Sequence, residues 1–420
     1  MPDDDSRTTA QQSERAIGST GFRTPGWQAV GLFALLLLAS ARFAPTAIRR
    51  WDLGELEQRV RYQAATLGPN YFEFGAVRRG LGGSIVHLLS PNLAEATVAF
   101  HLVFATGLAL AIAWLFRRLQ VPASARGAFA IIALVIMLQW GSDGGRTDMA
   151  VACVLGCTAL AFRCGRPGLG AGFVGLGLFI HEASVIFGVP LLAALMMQSR
   201  AGSRSDRGQW IAVAGVIGLA LGAYAGLNHL PHADPADVAA VVRSKLSPHQ
   251  RVELALYFAL SGIRGVKTSV CQNLTDPSYW VHPFGGLAVM GLTCSALGGR
   301  VGPHWKWALL ASLPGFVFLS VVANDISRWT MLGCFNIWLL AATTPGRAAR
   351  SRLRGLAPPG LALAFIPLVL SGPQIIESRM FAPSPLIEAA VRALGGARTP
   401  SVEEALDRCD PTWAQALTRN

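Results

Sequence analysis

Three short segments of this 420-residue sequence set ionisable residues against long apolar runs: Arg146-Thr-Asp148, His181-Glu182, and Asp325 with Arg328 in NDISRW. A fourth set, Asp52, Glu55, Arg78 and Arg79, lies between the first two apolar runs. Charge beside hydrocarbon is costly to keep, so residues that stay there are functional candidates. An arginine fork binds phosphate through two parallel hydrogen bonds. A nearby carboxylate or imidazole can deprotonate an acceptor hydroxyl. Combined, these parts suit group transfer from a lipid phosphate, with arginine stabilising the departing phosphate. On that reading Asp52 is the base, with Glu55 or His181 as alternates. Arg78, Arg79, Arg146 and Arg328 hold phosphate, and Asp148, Glu182 and Asp325 orient the arginines. Plainer readings stand beside it. Arg146 with Asp148, or Asp325 with Arg328, would be local pairs at helix starts. His181 would be wetted by headgroup water, and the arginines would only grip headgroups.

The elements that position these residues are set by hydropathy. Hydrophobic residues make up 52% and charged residues 14%, against roughly 25% charged in a typical soluble domain. Apolar runs fall at 27–46, 98–116, 127–141, 149–162, 168–181, 183–198, 210–228, 283–298, 307–323, 329–344 and 357–371. They are rich in Leu, Ala and Gly and lack barrel-type alternation, so they predict helices. The expected fold is all-α: a polytopic membrane protein of about eleven transmembrane helices with juxtamembrane helices on its outer side. Residues 1–26 are polar and predict a disordered cytoplasmic tail. The transmembrane domain is 27–371, with outer loops 47–97 and 229–282, and 372–420 is an outer C-terminal tail. No cleavable signal peptide or internal repeat is evident. The patch from Leu254 to Ile263 is too short to span and reads as interfacial or re-entrant. Short helices are expected at 385–394 and 401–408.

A net charge of +12 invites a nucleic-acid partner until its distribution is mapped. With the N-terminus in the cytoplasm, the short inner loops carry fourteen cations and one acid, Asp206, whereas the outer loops hold eighteen of each. This is the positive-inside pattern, and it puts the C-terminus outside. The charge sets orientation, and no nucleic-acid partner is expected. Of seven cysteines, Cys271 and Cys409 fall on the outer, oxidising side. A disulfide between them is one reading and two separate thiols the other. Cys153 and Cys157 are one helical turn apart without a third ligand nearby, which favours packing over a metal. The motifs require no cofactor and leave a divalent cation open.

A span opening with Arg146-Thr-Asp148, a basic inner turn, and a span ending in His181-Glu182-Ala-Ser before a run containing Pro190 is similar to the EpsG/Wzy-like polysaccharide-assembly membrane proteins. Those resemble GT-C-type glycosyltransferases. The likeness covers mainly 140–200, with weaker support at 70–85 and 324–340. It implies a polyprenyl-phosphate-linked sugar donor, a glycan acceptor and a site on the periplasmic face of a bacterial inner membrane. It also implies a catalytic acid in the first outer loop, where Asp52 and Glu55 stand, three apart rather than adjacent. Glu182 is not a residue the EpsG pattern requires. Two other classes remain open: a transporter or flippase of lipid-linked glycan, and a non-catalytic membrane subunit of an assembly complex. A transporter would want ionisable groups at the bilayer midplane on broken helices, and His101 is the one further candidate.

Overall fold

A computed structural model describes residues 24–42, 53–77, 79–119, 121, 123–141, 144–200, 207–227, 229–230, 233–260, 263–275, 280–297, 301, 304–323, 326–344 and 408–410. Regular structure among them is entirely helical. In chain order the helices are α1 (Gly26–Ser40), α2 (Leu53–Leu67), α3 (Tyr71–Phe74), α4 (Gly80–Leu89), α5 (Leu93–Arg117), α6 (Ala123–Trp140), α7 (Thr147–Arg163) and α8 (Pro167–Leu178). They continue as α9 (Ala183–Arg200), α10 (Arg207–Leu227), α11 (Pro235–Ser244), α12 (Gln250–Leu260), α13 (Ile263–Thr275), α14 (Val281–Ala296), α15 (Trp305–Val322) and α16 (Ile326–Thr343).

Every apolar run up to 344 coincides with a helix: α1, α5 to α10, and α14 to α16. The run at 357–371, the N-terminal tail and the two short C-terminal helices expected at 385–394 and 401–408 lie outside the described residues, apart from the last residue of the second, Arg408. Three helices, α5, α10 and α15, are long and apolar enough to cross a membrane by length and composition. Shorter apolar stretches lie in α1, α4, α6, α8, α9 and α14. Large apolar side chains face outward, among them Trp27 (73% exposed), Leu38 (72%), Leu219 (76%) and Phe284 (68%). Patches of that kind suit contact with lipid or protein rather than water.

Local chemistry corrects the helix ends. α5 starts at Leu93, earlier than hydropathy predicts, because Asn92 Oδ1 accepts the N–H groups of Ala94 and Glu95. α1 stops at Ser40 rather than 46. The Ser40 carbonyl, which a further helical turn would use, instead accepts Nε2 of His101 at 2.8 Å. The patch near Leu254 proves to be α12, and with α2, α4 and α11 it forms an apolar layer. Leu67, Val86, Val242 and Leu256 in that layer pack with Phe100 of α5 and Ile180.

α16 runs through the core. Its Trp338 donates to the Phe129 carbonyl of α6 at 2.9 Å, and Phe335 meets Trp140 edge-on. Pro190 and Pro314 interrupt the hydrogen-bond ladders of α9 and α15. Asn336 Nδ2 donates to the carbonyls of Phe187 (3.0 Å) and Ala311 (2.6 Å), each one residue beyond the carbonyl its proline leaves without a partner. One amide thus joins two proline-interrupted helices to α16. The backbones of α9 and α15 approach closely there, since a Cβ at Gly315 would lie 3.0 Å from the Ile186 carbonyl oxygen.

Contacts between helix ends define the two ends of the bundle. At one, Arg126 donates to Gln28 and Gln198 to Thr344. At the other, His101 meets Ser40, Gly141 abuts Ala39 and Arg328 meets Asp148. Following α1, α6 and α16 along the chain carries each from one of these ends to the other.

Candidate functional site

The site lies at the second end. α7 begins immediately after a turn at Gly145, whose φ of +86° suits glycine. A Cβ at Gly145 would collide with Thr97 of α5 and lie 3.2 Å from Gln63 of α2, so the turn is packed closely against both helices. The first turn of α7 then places Asp148 in the interior with its side chain 0% exposed. Arg328, from the first turn of α16, grips it with both prongs: Nε donates to Oδ2 at 2.5 Å and Nη2 to Oδ1 at 2.7 Å. Arg146 Nη1 lies 3.9 Å from Oδ2 and is itself buried. The Arg328 guanidinium also lies over the Trp329 ring, 5.0 Å from its centroid.

A second carboxylate repeats the arrangement in the turn between α8 and α9. Glu182 Oε2 accepts Arg79 Nε at 2.7 Å, and its Oε1 accepts the Tyr224 hydroxyl of α10 at 2.8 Å. Arg79 precedes α4 in a left-handed backbone conformation, φ 59° and ψ 21°. It is the one non-glycine residue with positive φ among those described, a conformation that side chains adopt at a cost. Between the two ion pairs sits His181, buried, with its ring 6.5 Å from that of Trp329 and Nδ1 3.8 Å from Glu182 Oε2. The Ala183 N–H donates to His181 Nδ1 at 3.1 Å. In the neutral ring that fixes the proton on Nε2, so neutral His181 offers a donor through that nitrogen rather than a base.

Arg79, Arg146, Asp148, His181, Glu182 and Arg328 are therefore brought together. Asp52, Arg78 and Asp325 lie outside the described residues. Glu55 is on α2, the helix whose Gln63 lies against the Gly145 turn. The local pair Arg146–Asp148 exists, but it is the longer contact. The short hydrogen bonds join residues 180 and 103 positions apart in sequence. Tyr224 and Trp329 are site residues that charge-based reasoning passes over. Trp329 follows Arg328 directly, which is a usable signal, whereas Tyr224 stands in an apolar helix without one.

The layer above is fastened by charge. Lys245 Nζ lies 2.5 and 2.7 Å from the Glu73 oxygens, and Ser247 N–H donates to Glu57 at 2.9 Å. Arg243 pairs with Glu253 through two bonds of 2.7 Å. Partial burial works to raise the Glu73 carboxyl, but hydrogen bonds from Lys245 and Asn70 outweigh it and hold the group below its ordinary value. Cys271 and Cys409 form a disulfide. Beside it the Tyr257 hydroxyl donates to Asp410 at 2.8 Å, tying 408–410 to α12 and α13.

No group of three or more His, Cys, Asp or Glu side chains among the described residues is arranged to hold a metal ion. No family model, curated protein or solved structure matches the chain.

Proposed function

We propose that the protein is a membrane glycosyltransferase or glycan polymerase that takes sugar from a polyprenyl-phosphate-linked donor at the periplasmic face. The observation that carries this reading is the convergence of Arg79, Arg146 and Arg328, with Asp148, Glu182 and His181, on one end of an apolar bundle. That end is opposite the one where the basic loops lie when every apolar run crosses. In this reading the N-terminus is cytoplasmic, and the end bearing the cluster faces outward. Asp148 and Glu182 orient their arginines, which stabilise the phosphate as it leaves the sugar. The bond between the anomeric carbon and the phosphate oxygen breaks, and a bond to the acceptor hydroxyl forms. The hydroxyl proton passes to Asp52 or Glu55, while His181 steadies an oxygen through Nε2–H. His101, the residue that would serve a transporter, is engaged with Ser40 at the end of α1.

The test is a panel of Asp52→Asn, Glu55→Gln, Arg146→Ala, His181→Ala and Arg328→Ala, scored for glycan product alongside protein level in the membrane. The expected result is loss of product in the arginine variants and in one carboxylate variant at comparable protein levels. Full product from all five at normal protein levels would remove the enzymatic reading and leave a flippase or a non-catalytic subunit.

A further inference from the structure

Trp329 stands inside the charged cluster and is 3% exposed, and its indole Nε1–H has no hydrogen-bond partner among the described residues. A buried donor left unpaired is costly, which makes a partnerless one at such a place informative. The ring lies beside the Arg328 guanidinium, 5.0 Å from its centroid, and near the His181 imidazole, 6.5 Å away and tilted. Arg328 is in turn fixed by the fully buried Asp148, and His181 by the Ala183 N–H. The indole therefore has a defined place beside a guanidinium and an imidazole donor. Trp140 shares the burial and the partnerless N–H but stands in the apolar core, so what sets Trp329 apart is its place beside Arg328 and His181.

We infer that Trp329 is a substrate-binding residue whose indole N–H donates to an oxygen of the lipid-linked phosphate held by the cluster. The inference rests on the proposed function for the identity of the ligand. Its partners at that oxygen are Arg328 and His181, and no proton is transferred by the indole, which only donates. A hydrogen bond to a charged acceptor in a desolvated site makes the N–H worth about tenfold in affinity.

The experiment uses the full chain in nanodiscs, titrated with farnesyl phosphate in one arm and inorganic phosphate in the other, with ligand-dependent thermal stabilisation as the readout. The variants are Trp329→Phe and, as a control, Trp140→Phe. Trp140 is also fully buried with a partnerless indole N–H, but it packs edge-on against Phe335 in the apolar core. The expected result is wild-type binding of farnesyl phosphate more tightly than of inorganic phosphate. Trp329→Phe then binds about tenfold more weakly, read as the ligand-dependent shift from its own ligand-free melting temperature, and Trp140→Phe, scored in the same way, binds as wild type. Wild-type affinity in Trp329→Phe, while the wild type itself binds, overturns the inference and leaves the phosphate site standing. Equal binding of the two ligands overturns the lipid assignment. Absence of binding by the wild type in either arm removes the phosphate site, and the inference with it.

Discussion

Asp148→Asn is the substitution with the clearest calculable consequence. The wild-type carboxylate is fully buried, accepts two hydrogen bonds from Arg328 and lies 3.9 Å from Arg146. The amide keeps the shape but removes the charge that two guanidiniums face. Breaking a buried ion pair by removing one partner costs about 3–5 kcal/mol, because the other charge stays buried and uncompensated. Arg328 is 19% exposed, so part of its charge can rehydrate, and we expect a value near the lower end, about 3 kcal/mol. That is roughly a hundredfold change in the folded-to-unfolded ratio. Adding Arg328→Gln removes the nearer of the two stranded charges and leaves the buried Arg146, so the double variant should recover about 2 kcal/mol relative to the sum of the singles. Denaturing-detergent titration in mixed micelles, followed by circular dichroism, measures all four corners of the cycle. A cost below about 1 kcal/mol for Asp148→Asn, or additive singles, would refute the claim that this pair is a desolvated, coupled unit.

Three further outcomes follow. The Glu73 carboxyl is depressed in the folded state, so its ion pair with Lys245 contributes stability above the unfolded carboxylate range and loses it as pH falls through the folded value; hydrogen exchange across α11 should rise on acidification, and Lys245→Gln should flatten that dependence. The disulfide closes a loop with a sequence separation of 138; non-reducing peptide mapping should recover Cys271 linked to Cys409, and replacing both by serine should cost about 2–5 kcal/mol of stability. For topology, the exposed native thiol Cys164 should resist a membrane-impermeant maleimide in intact cells, whereas a cysteine at the exposed Ser247 position should react; the opposite pattern would invert the orientation.

Hydropathy made the helices legible because burial in hydrocarbon or core selects for continuous apolar runs, and each run up to 344 became one. Their ends were less legible, since they depend on Asn92 capping α5 and on His101 taking the Ser40 carbonyl. The candidate site was readable as a set of residues and not as a set of pairs. Spacing alone joins Arg146 to Asp148 and Asp325 to Arg328, because only local neighbours can be inferred from one sequence. The fold also joins Asp148 to Arg328 and Glu182 to Arg79, through packing of α7 on α16 and of α4 beside the turn between α8 and α9. The same limit hides Tyr224 in an apolar helix and the Asn336 amide that joins α9 to α15.

The central claim is that the charged end of the bundle holds a lipid-linked phosphate. Photocrosslinking with a polyprenyl phosphate carrying a diazirine close to its phosphate, followed by peptide mapping, tests it most directly. Modification is expected within 146–149, 181–184 or 326–329, suppressed by excess unlabelled polyprenyl phosphate. Crosslinks confined to the lipid-exposed surface of α10, unaffected by that competitor, would contradict it.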